Sequence, residues 1–203
     1  MSLYQKYILP QLLNLAMKAP AMSKLRSELI PLAKGKVLEI GLGSGLNIPH
    51  YDDISELIAL EPSEELLALV QENSGEPKFP TEMLKASAED IPLDSNTFDT
   101  VVMTWTLCSV TDPISALSEI KRVIKPGGKV IFAEHGQSPD ENIRRWQRRI
   151  NPVWSRIAGG CQLNREIEIL YESSGFKFKS IERGYIEGPK FATYNYRGIA
   201  TLG

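Results

Sequence analysis

Three glycines at alternate positions follow an apolar run near residue 40. Segment 37–47 reads VLEIGLGSGLN and contains Glu39, Gly41, Gly43 and Gly45. Glycines in such a loop let a ligand lie against the backbone, and we expect the loop to lead into a helix N-terminus. The dinucleotide fingerprint G-x-G-x-x-G does not fit, because Leu46 stands at its third glycine, and no Gly-Lys-Ser/Thr follows as in a P-loop. The loop therefore favours a closely packed ligand that is not strongly anionic.

A carboxylate stands at the end of the next apolar run. Glu61 lies twenty residues after Gly41, in the segment ELIALEP at 56–62. A carboxylate in this place accepts hydrogen bonds from both ribose hydroxyls of an adenosine. Loop and carboxylate together predict a site for a ligand that contains adenosine.

His135 is the histidine best placed for catalysis. It ends the run GKVIFAEH at 128–135, at the carboxyl edge where open α/β sheets bind ligands. A neutral imidazole there can take a proton from an acceptor, so we predict His135 as the catalytic residue, with a packing role as the alternative. We expect His50 at the surface.

The two cysteines, Cys108 and Cys161, lie far apart in the sequence and form no CxxC pair. We expect Cys108 to pack in the core, and neither the cysteine spacing nor the two histidines predict a metal site. Free thiols are typical of a reducing compartment, which indicates the cytoplasm. Segment 1–18 lacks the apolar stretch of a signal peptide, and no segment is predicted to cross a membrane.

The elements that must position these residues alternate along the chain. Apolar β-rich runs occupy 36–41, 56–62, 98–105 and 128–135. Helical stretches fill 63–74 and 112–128, the second capped by Asp112 and ending at a Pro-Gly-Gly turn. Repeated β-α units of this kind predict a doubly wound, mostly parallel α/β sheet. The tail reads as two strands that pair antiparallel.

The composition predicts one domain with a single core. The 203 residues are 42% hydrophobic and 24% charged, as in ordinary globular proteins, and the net charge of −2 gives no reason to expect a nucleic-acid partner. We expect a single domain over 1–203, with an N-terminal helical segment at 1–33 and a substrate-side insert at 137–165.

The combined motifs resemble the class I S-adenosylmethionine-dependent methyltransferases. The resemblance rests on the glycine loop, Glu61, AEDIPLDSNTFDTVV at 88–102 and EIKRVIKPGGKVIFAEH at 119–135, and covers about 34–135. It implies S-adenosylmethionine as cofactor, a small-molecule methyl acceptor, and a seven-stranded Rossmann-like sheet whose last strand is antiparallel. The cofactor-binding residues that it implies are Glu39, Gly41, Gly43, Gly45, Glu61, Pro62, Ala88, Glu89 and Thr104.

The resemblance also assigns roles to these residues. It places the three glycines along the methionine part of the cofactor, with Glu39 near its amino group. It places Glu61 on the ribose, Ala88 and Glu89 beside the adenine, and Thr104 after the fourth strand. Where many relatives carry an aspartate that binds the adenine amino group, this sequence has Ser87.

A narrower resemblance covers the C-terminal half. The segments LCSVTDP, EHGQSP and INPVWSRIAGGCQLNRE resemble methyltransferase-like proteins that act on alkyl thiols in animals, and more loosely bacterial quinone and phospholipid methyltransferases. A thiol acceptor is therefore one expectation, and a quinone or phospholipid acceptor is the alternative. A non-catalytic S-adenosylmethionine-binding protein stays open, while a nicotinamide dehydrogenase is disfavoured by Leu46.

Segment 143–165 is basic and amphipathic. It contains six arginines and no acidic residue, and its apolar residues recur at helical spacing despite a break expected at Asn151-Pro152. The first interpretation is a solvated basic face over a core-facing apolar stripe. The alternatives are a lid over the substrate and a peripheral contact with anionic lipid.

Overall fold

The computed structural model describes residues 3–203 and contains a seven-stranded sheet in the order β3-β2-β1-β4-β5-β7-β6. The strands are β1 Gly35–Ile40, β2 Ile54–Leu60, β3 Thr81–Leu84, β4 Phe98–Thr104, β5 Ile124–His135, β6 Phe176–Tyr185 and β7 Tyr194–Leu202. The helices are α1 Leu9–Met17, α2 Pro20–Leu29, α3 Glu64–Leu67, α4 Val70–Ser74, α5 Pro113–Val123, α6 Glu141–Ile157 and α7 Ile167–Ser173. Shorter helical turns lie at Tyr4–Ile8, Ile30–Leu32, Ile48–His50 and Lys190–Ala192.

The strand pairing confirms the predicted fold class. Strands β1 to β5 pair in parallel, and β7 runs antiparallel to both β5 and β6. The order reverses between β1 and β4, and ligands of open α/β sheets bind outside the carboxyl ends of the strands at such a reversal. The glycine loop starts at this point, because it follows β1 directly. The short strand β3 had no counterpart among the runs read from the sequence.

Apolar side chains cover both faces of the central strands. On one face, Val101 and Met103 of β4 pack in a cluster with Leu117 of α5. On the other face, Val102 packs in a second cluster with Ile30, which follows α2. All five side chains are fully buried, as the two-sided apolar runs predict.

Two local predictions around the predicted helices are wrong. Helix α5 ends at Val123, before the Pro-Gly-Gly turn, because Ile124 is extended and joins β5. Lys125 precedes Pro126, and a residue before proline disfavours the helical conformation. The predicted helix over 63–74 is divided into α3 and α4.

The glycine loop does not lead into the expected α-helix. It is followed only by the three-residue turn Ile48–His50, after which Tyr51 is extended. The Tyr51 hydroxyl donates a 2.8 Å hydrogen bond to Glu39, and its ring contacts Phe79 edge-on. Leaving the helical conformation lets Tyr51 reach the buried carboxylate at the end of β1.

The expected break in the insert is also wrong. Helix α6 continues through Pro152 from an N-cap at Asp140, whose carboxylate accepts from the backbone N–H groups of Asn142 and Ile143. Asn151 joins the helix to the next turn, since it accepts from the Leu163 N–H at 2.7 Å. None of the helices within residues 3–203 is long and apolar enough to span a membrane.

Candidate cofactor site

A cavity of about 370 Å³ lies at the carboxyl ends of the parallel strands. Seven of the nine predicted cofactor residues line it, and the exceptions are Glu39 and Gly45. The lining members are Gly41, Gly43, Glu61, Pro62, Ala88, Glu89 and Thr104. The sequence motifs therefore converge on one space, although they span more than sixty residues of chain.

The three loop glycines differ in what surrounds them. All have positive φ angles of 74°, 58° and 81° for Gly41, Gly43 and Gly45, a backbone region that favours glycine. A Cβ atom on Gly41 would lie 2.1 Å from Thr106 Oγ1, and one on Gly45 would lie 2.9 Å from Val70 Cγ1. A Cβ atom on Gly43 would meet nothing within 4 Å. Gly41 and Gly45 are therefore needed for packing, while Gly43 borders open space.

Glu61 joins the glycine loop to the end of β2. Its carboxylate accepts from the Gly43 N–H at 2.8 Å and from the Ser63 N–H at 2.9 Å, one bond to each oxygen. Burial raises the pKa of Glu61, and these two hydrogen bonds act in the opposite direction. Each carboxylate oxygen keeps a lone pair for a ligand hydroxyl, because it accepts only one protein hydrogen bond in the described chain.

Glu39 does not reach the cavity itself. Its side chain is 1% exposed and accepts hydrogen bonds from Asn47 Nδ2 and the Tyr51 hydroxyl, both at 2.8 Å. Burial raises its pKa to about 7, against these bonds and the nearby charge of Arg26. Glu39 thus acts on the cavity through Asn47, which does line it.

Arg26 and Asn47 are site residues that the sequence reasoning missed. Arg26 Nε donates to Asn47 Oδ1 at 3.0 Å, and Asn47 Nδ2 also donates to Thr104 Oγ1 at 3.0 Å. Burial lowers the Arg26 pKa to about 10, although Glu39 raises it. Arg26 comes from the N-terminal segment, so no local motif connects it to the glycine loop. Asn47 is the last residue of the segment VLEIGLGSGLN, and its polar side chain beside the glycine loop could have indicated a role in the site.

Trp105, which forms an aromatic wall of the cavity, has an unusual backbone conformation. Trp105 follows β4 with a φ of 51°, in the left-handed region that non-glycine residues rarely adopt. Its indole N–H donates to Asn195 Oδ1 at 2.9 Å, and the Arg26 guanidinium lies 4.9 Å from its ring centre. These contacts fix the ring at the cavity wall.

At the predicted adenine end, Ser87 and Glu89 form a local pair. The Ser87 hydroxyl donates to Glu89, and the other Glu89 oxygen accepts from the Thr111 N–H at 2.9 Å. Ser87 therefore orients Glu89 in place of the aspartate seen in many relatives of the resembled family. Ala88 between them is buried and lines the cavity.

Two helices from opposite parts of the chain cover the cavity. Leu13, Asn14 and Met17 of α1 line it, and so do Ala158 and Gly159 after α6. The Asn14 side chain fixes α1 to the loop, because its Oδ1 accepts from the Ser44 hydroxyl at 2.8 Å. The sequence predicted a cover for the site only in 137–165. No motif in the sequence indicated that α1 also covers the cavity.

His135 and the two cysteines lie together behind the cavity wall. His135 is 5% exposed and is absent from the cavity lining, and its Nδ1 lies 3.3 Å from Cys161 Sγ. Cys161 Sγ lies 3.7 Å from Cys108 Sγ. Contact with Cys161 and burial raise the Cys108 pKa, whereas contact with Cys108 lowers the Cys161 pKa. Spacing could not reveal this cluster, because its members follow three different elements. The catalytic role of His135 stays a prediction.

The basic segment is only partly as predicted. Within helix α6 the buried position is held by Gln147, not by an apolar residue, and its side chain bonds the backbone of Gly136 and Ser138. Trp146, Val153 and Ile157 are at least 50% exposed, so the apolar stripe does not face the core throughout. Glu141, just outside the segment, pairs with three of its arginines, namely Arg144, Arg145 and Arg148.

The raised pKa of Glu39 predicts a pH-dependent stability. The folded protein keeps this proton up to about pH 7, whereas the ordinary glutamate pKa of 4.5 applies to the unfolded chain. The contribution of Glu39 to the free energy of unfolding therefore falls as pH rises from 4.5 to 7, by roughly 3 kcal/mol in total. Urea unfolding across this range should show the wild type losing stability relative to Glu39→Gln as pH rises. A constant difference in stability between the two proteins would show that the Glu39 pKa is the same in the folded and the unfolded chain.

Comparisons with known proteins agree with the site. The methyltransferase domain family matches residues 38–132. Human thiol S-methyltransferase TMT1B is 33% identical over 157 residues, which cover 74% of this chain and 64% of that protein. Phosphatidylethanolamine N-methyltransferase of Cereibacter sphaeroides is 33% identical over 103 residues, which cover 50% of this chain and 51% of that protein.

A solved structure with the same fold is an S-adenosylmethionine-dependent methyltransferase from Aquifex aeolicus. It aligns with a TM-score of 0.65 at 21% identity, over 96% of this chain and 98% of that one. The chain spans about half to two thirds of the length of the two curated relatives. Domain match, relatives and fold point the same way: residues 38–132 form a methyltransferase domain, and the chain has the fold of S-adenosylmethionine-dependent methyltransferases.

Proposed function

We propose that the protein transfers the methyl group of S-adenosylmethionine to a small-molecule acceptor, with a thiol as the first candidate. The observation that carries the proposal is the open space at Gly43, bordered by the Glu61 carboxylate. A side chain at position 43 would enter this space, and the neighbouring carboxylate can still accept hydroxyl protons. Both properties suit a nucleoside ligand without a phosphate.

The cavity residues divide between the parts of the cofactor. Gly41 and Gly43 suit the methionine part, Glu61 and Pro62 the ribose, and Ala88 with Glu89 the adenine. Glu39 supports the amino-group end through Asn47, and Gly45 supports the loop through its packing on α4. Bound S-adenosylmethionine would supply a methyl group already activated on a sulfonium.

The chain's own contribution to the reaction is alignment and exclusion of water. Methyl transfer from a sulfonium is an in-line displacement that needs few catalytic groups. Leu13 and Met17 on one side and Trp105 on another give the cavity apolar walls. These walls favour an apolar acceptor and keep solvent from the reacting atoms.

A thiol acceptor is supported by the similarity to the human thiol S-methyltransferase. A thiol with a pKa near 8.5 is only a few per cent ionised at about pH 7, so its reaction should accelerate as pH rises. A phospholipid amine is the second candidate, supported by the similarity to the phosphatidylethanolamine N-methyltransferase. A protein that binds the cofactor without turnover is the remaining alternative.

The location proposed for this activity is the cytoplasm, which agrees with the two free thiols. A peripheral membrane contact through 143–165 is supported by the exposed Trp146, Val153 and Ile157 beside Arg149 and Arg156. Neither arginine has a carboxylate within ion-pair distance in the part of the chain that the structure describes. Such a surface combines the apolar and basic groups that bind anionic lipid.

Replacing Glu61 should weaken cofactor binding. The carboxylate makes charge-assisted hydrogen bonds, so Glu61→Ala should cost roughly 2 to 4 kcal/mol, or about 30- to 700-fold in the dissociation constant of S-adenosylhomocysteine. Calorimetry on the folded variant measures this loss. Glu72→Ala, which removes an exposed carboxylate of α4, is the matched control and should bind normally. Equal affinities for both variants would remove Glu61 from the site.

Turnover with a panel of acceptors tests the substrate class. Formation of S-adenosylhomocysteine should be fastest with apolar alkyl or aryl thiols and slower with phenols, quinones and phosphatidylethanolamine vesicles. Faster turnover with the vesicles than with thiols would show that the acceptor is a phospholipid amine and not a thiol. Cofactor binding without turnover on any acceptor would favour the non-catalytic alternative.

We also propose that 137–165 acts as a cover that closes over the bound acceptor, because Ala158 and Gly159 border the cavity. Hydrogen exchange in this segment should slow when S-adenosylhomocysteine and a thiol are both present, since lids order on binding. Helix α5, none of whose residues lines the cavity, serves as the internal reference. Unchanged exchange in 137–165 with both ligands would make the segment a fixed face.

A further inference from the structure

Two thiols and an imidazole converge from three separate elements. Cys108 lies in the turn after β4, His135 ends β5, and Cys161 follows α6. Their sulfur and nitrogen atoms all lie within 4.8 Å of one another. Cys108 is 2% exposed, His135 is 5% exposed, and Cys161 is half-buried. The cofactor site does not use any of the three, since none lines the cavity.

The spacing of these atoms matches the corners of a zinc site. With Zn–S bonds near 2.3 Å and Zn–N bonds near 2.0–2.1 Å, tetrahedral corners lie roughly 3.8 Å apart for two sulfurs and roughly 3.6 Å apart for sulfur and nitrogen. The Cys108–Cys161 sulfur distance is 3.7 Å, and Cys161 Sγ lies 3.3 Å from His135 Nδ1. Small side-chain adjustments would place one ion at bonding distance from all three.

The backbone around the cysteines is fixed independently of the thiols. The Glu134 carboxylate accepts from the N–H groups of Thr106, Leu107 and Cys108, which holds the turn after β4. The Gln162 N–H donates to the Cys108 carbonyl at 2.8 Å, which holds the chain after α6 beside that turn. The two sulfurs are therefore brought together by the fold, before any bond between them or to an ion.

One nitrogen of the His135 ring is unpaired. Within residues 3–203, the buried His135 Nε2 has no hydrogen-bond partner, while the Trp154 indole N–H lies beside the Cys161 thiol. Buried polar atoms without partners are uncommon and indicate a missing ligand or water. Because an ion bound at Nδ1 would leave the ring proton on Nε2, the unpaired Nε2 indicates a place for an ordered water beside the cluster.

We propose that Cys108, His135 and Cys161 bind Zn²⁺ through three protein ligands, leaving a fourth position for water or an exogenous ligand. Thiolate and imidazole ligands select zinc over magnesium or calcium. Binding would form two Zn–S bonds and one Zn–N bond, and the two thiols would release their protons to the solvent. The ion would link the end of α6 to the sheet. One of its ligands, Cys108, directly precedes Ser109, which lines the cavity.

The zinc site and the base role predicted for His135 exclude each other. A zinc-bound ring nitrogen has no lone pair to take a proton from an acceptor. A disulfide between Cys108 and Cys161 is the other competing interpretation, and it would remove both sulfur ligands. The experiment must therefore measure the metal directly, with activity as a separate readout.

The test is a Co²⁺ and Zn²⁺ titration of the reduced, full-length protein against a chromophoric chelator. We expect one ion per chain, a cysteine-to-cobalt charge-transfer band, and the intense visible bands of tetrahedral cobalt. Cys108→Ser, Cys161→Ser and His135→Ala should each weaken Zn²⁺ binding by about 100-fold or more, while His135→Cys should retain binding because it supplies a third thiolate. His50→Ala is the matched control and should bind Zn²⁺ normally.

Binding of S-adenosylhomocysteine reports whether each variant is folded and keeps this test separate from the methyltransferase proposal. A folded, reduced wild type without the cysteine-to-cobalt band would overturn the zinc site. So would Zn²⁺ binding that survives in both Cys161→Ser and His135→Ala. Zn²⁺ binding by His135→Ala as tight as that of the wild type would show that the ring is not a ligand, and the inference would then be wrong.

Discussion

The site depends on buried carboxylates that end the parallel strands and hold the following loops by hydrogen bonds. Glu61 after β2 binds the N–H groups of Gly43 and Ser63, and Glu134 in β5 binds three N–H groups of the turn after β4. Glu39 in β1 binds Asn47 and Tyr51. Burial raises the pKa of all three carboxyl groups, because removing an ionised carboxylate from water costs free energy. Because that cost is offset only when the bonds form, the loops have one stable arrangement at this edge.

This arrangement explains why the cavity needs contributions from distant parts of the chain. Glu39 lies beneath Asn47, and the guanidinium of Arg26 from α2 opposes the rise in the Glu39 pKa. The same Arg26 lies over Trp105, whose backbone is held in the left-handed region. The polar network below the cavity and the aromatic wall beside it are therefore coupled through one guanidinium. A ligand that contacts Asn47 would act on both.

The sequence predicted the sheet well because its signals are local, while the cofactor role of the residues at its edge stays a prediction. Apolar runs on both sides and the glycine spacing are set by neighbours in the chain, and the resemblance to the methyltransferases implied the seven residues that line the cavity. Arg26, α1 and the cysteine–histidine cluster were missed because tertiary packing alone brings them together. The helix expected after the glycine loop was wrong because Tyr51 turns to reach Glu39. Pro152 did not end α6, since Asn151 and the Asp140 cap anchor the helix on either side.

The central claim is that the cavity accepts a nucleoside with a methionine tail instead of a dinucleotide. Leu46 in place of a third glycine, the three-residue turn after the loop and the absence of a long helix there all disfavour a pyrophosphate. Calorimetry of the wild type with S-adenosylhomocysteine and with NAD, at matched pH and ionic strength, tests this most directly. The account predicts a dissociation constant of roughly micromolar or lower for S-adenosylhomocysteine and far weaker binding of NAD. Tighter binding of NAD than of S-adenosylhomocysteine would contradict it.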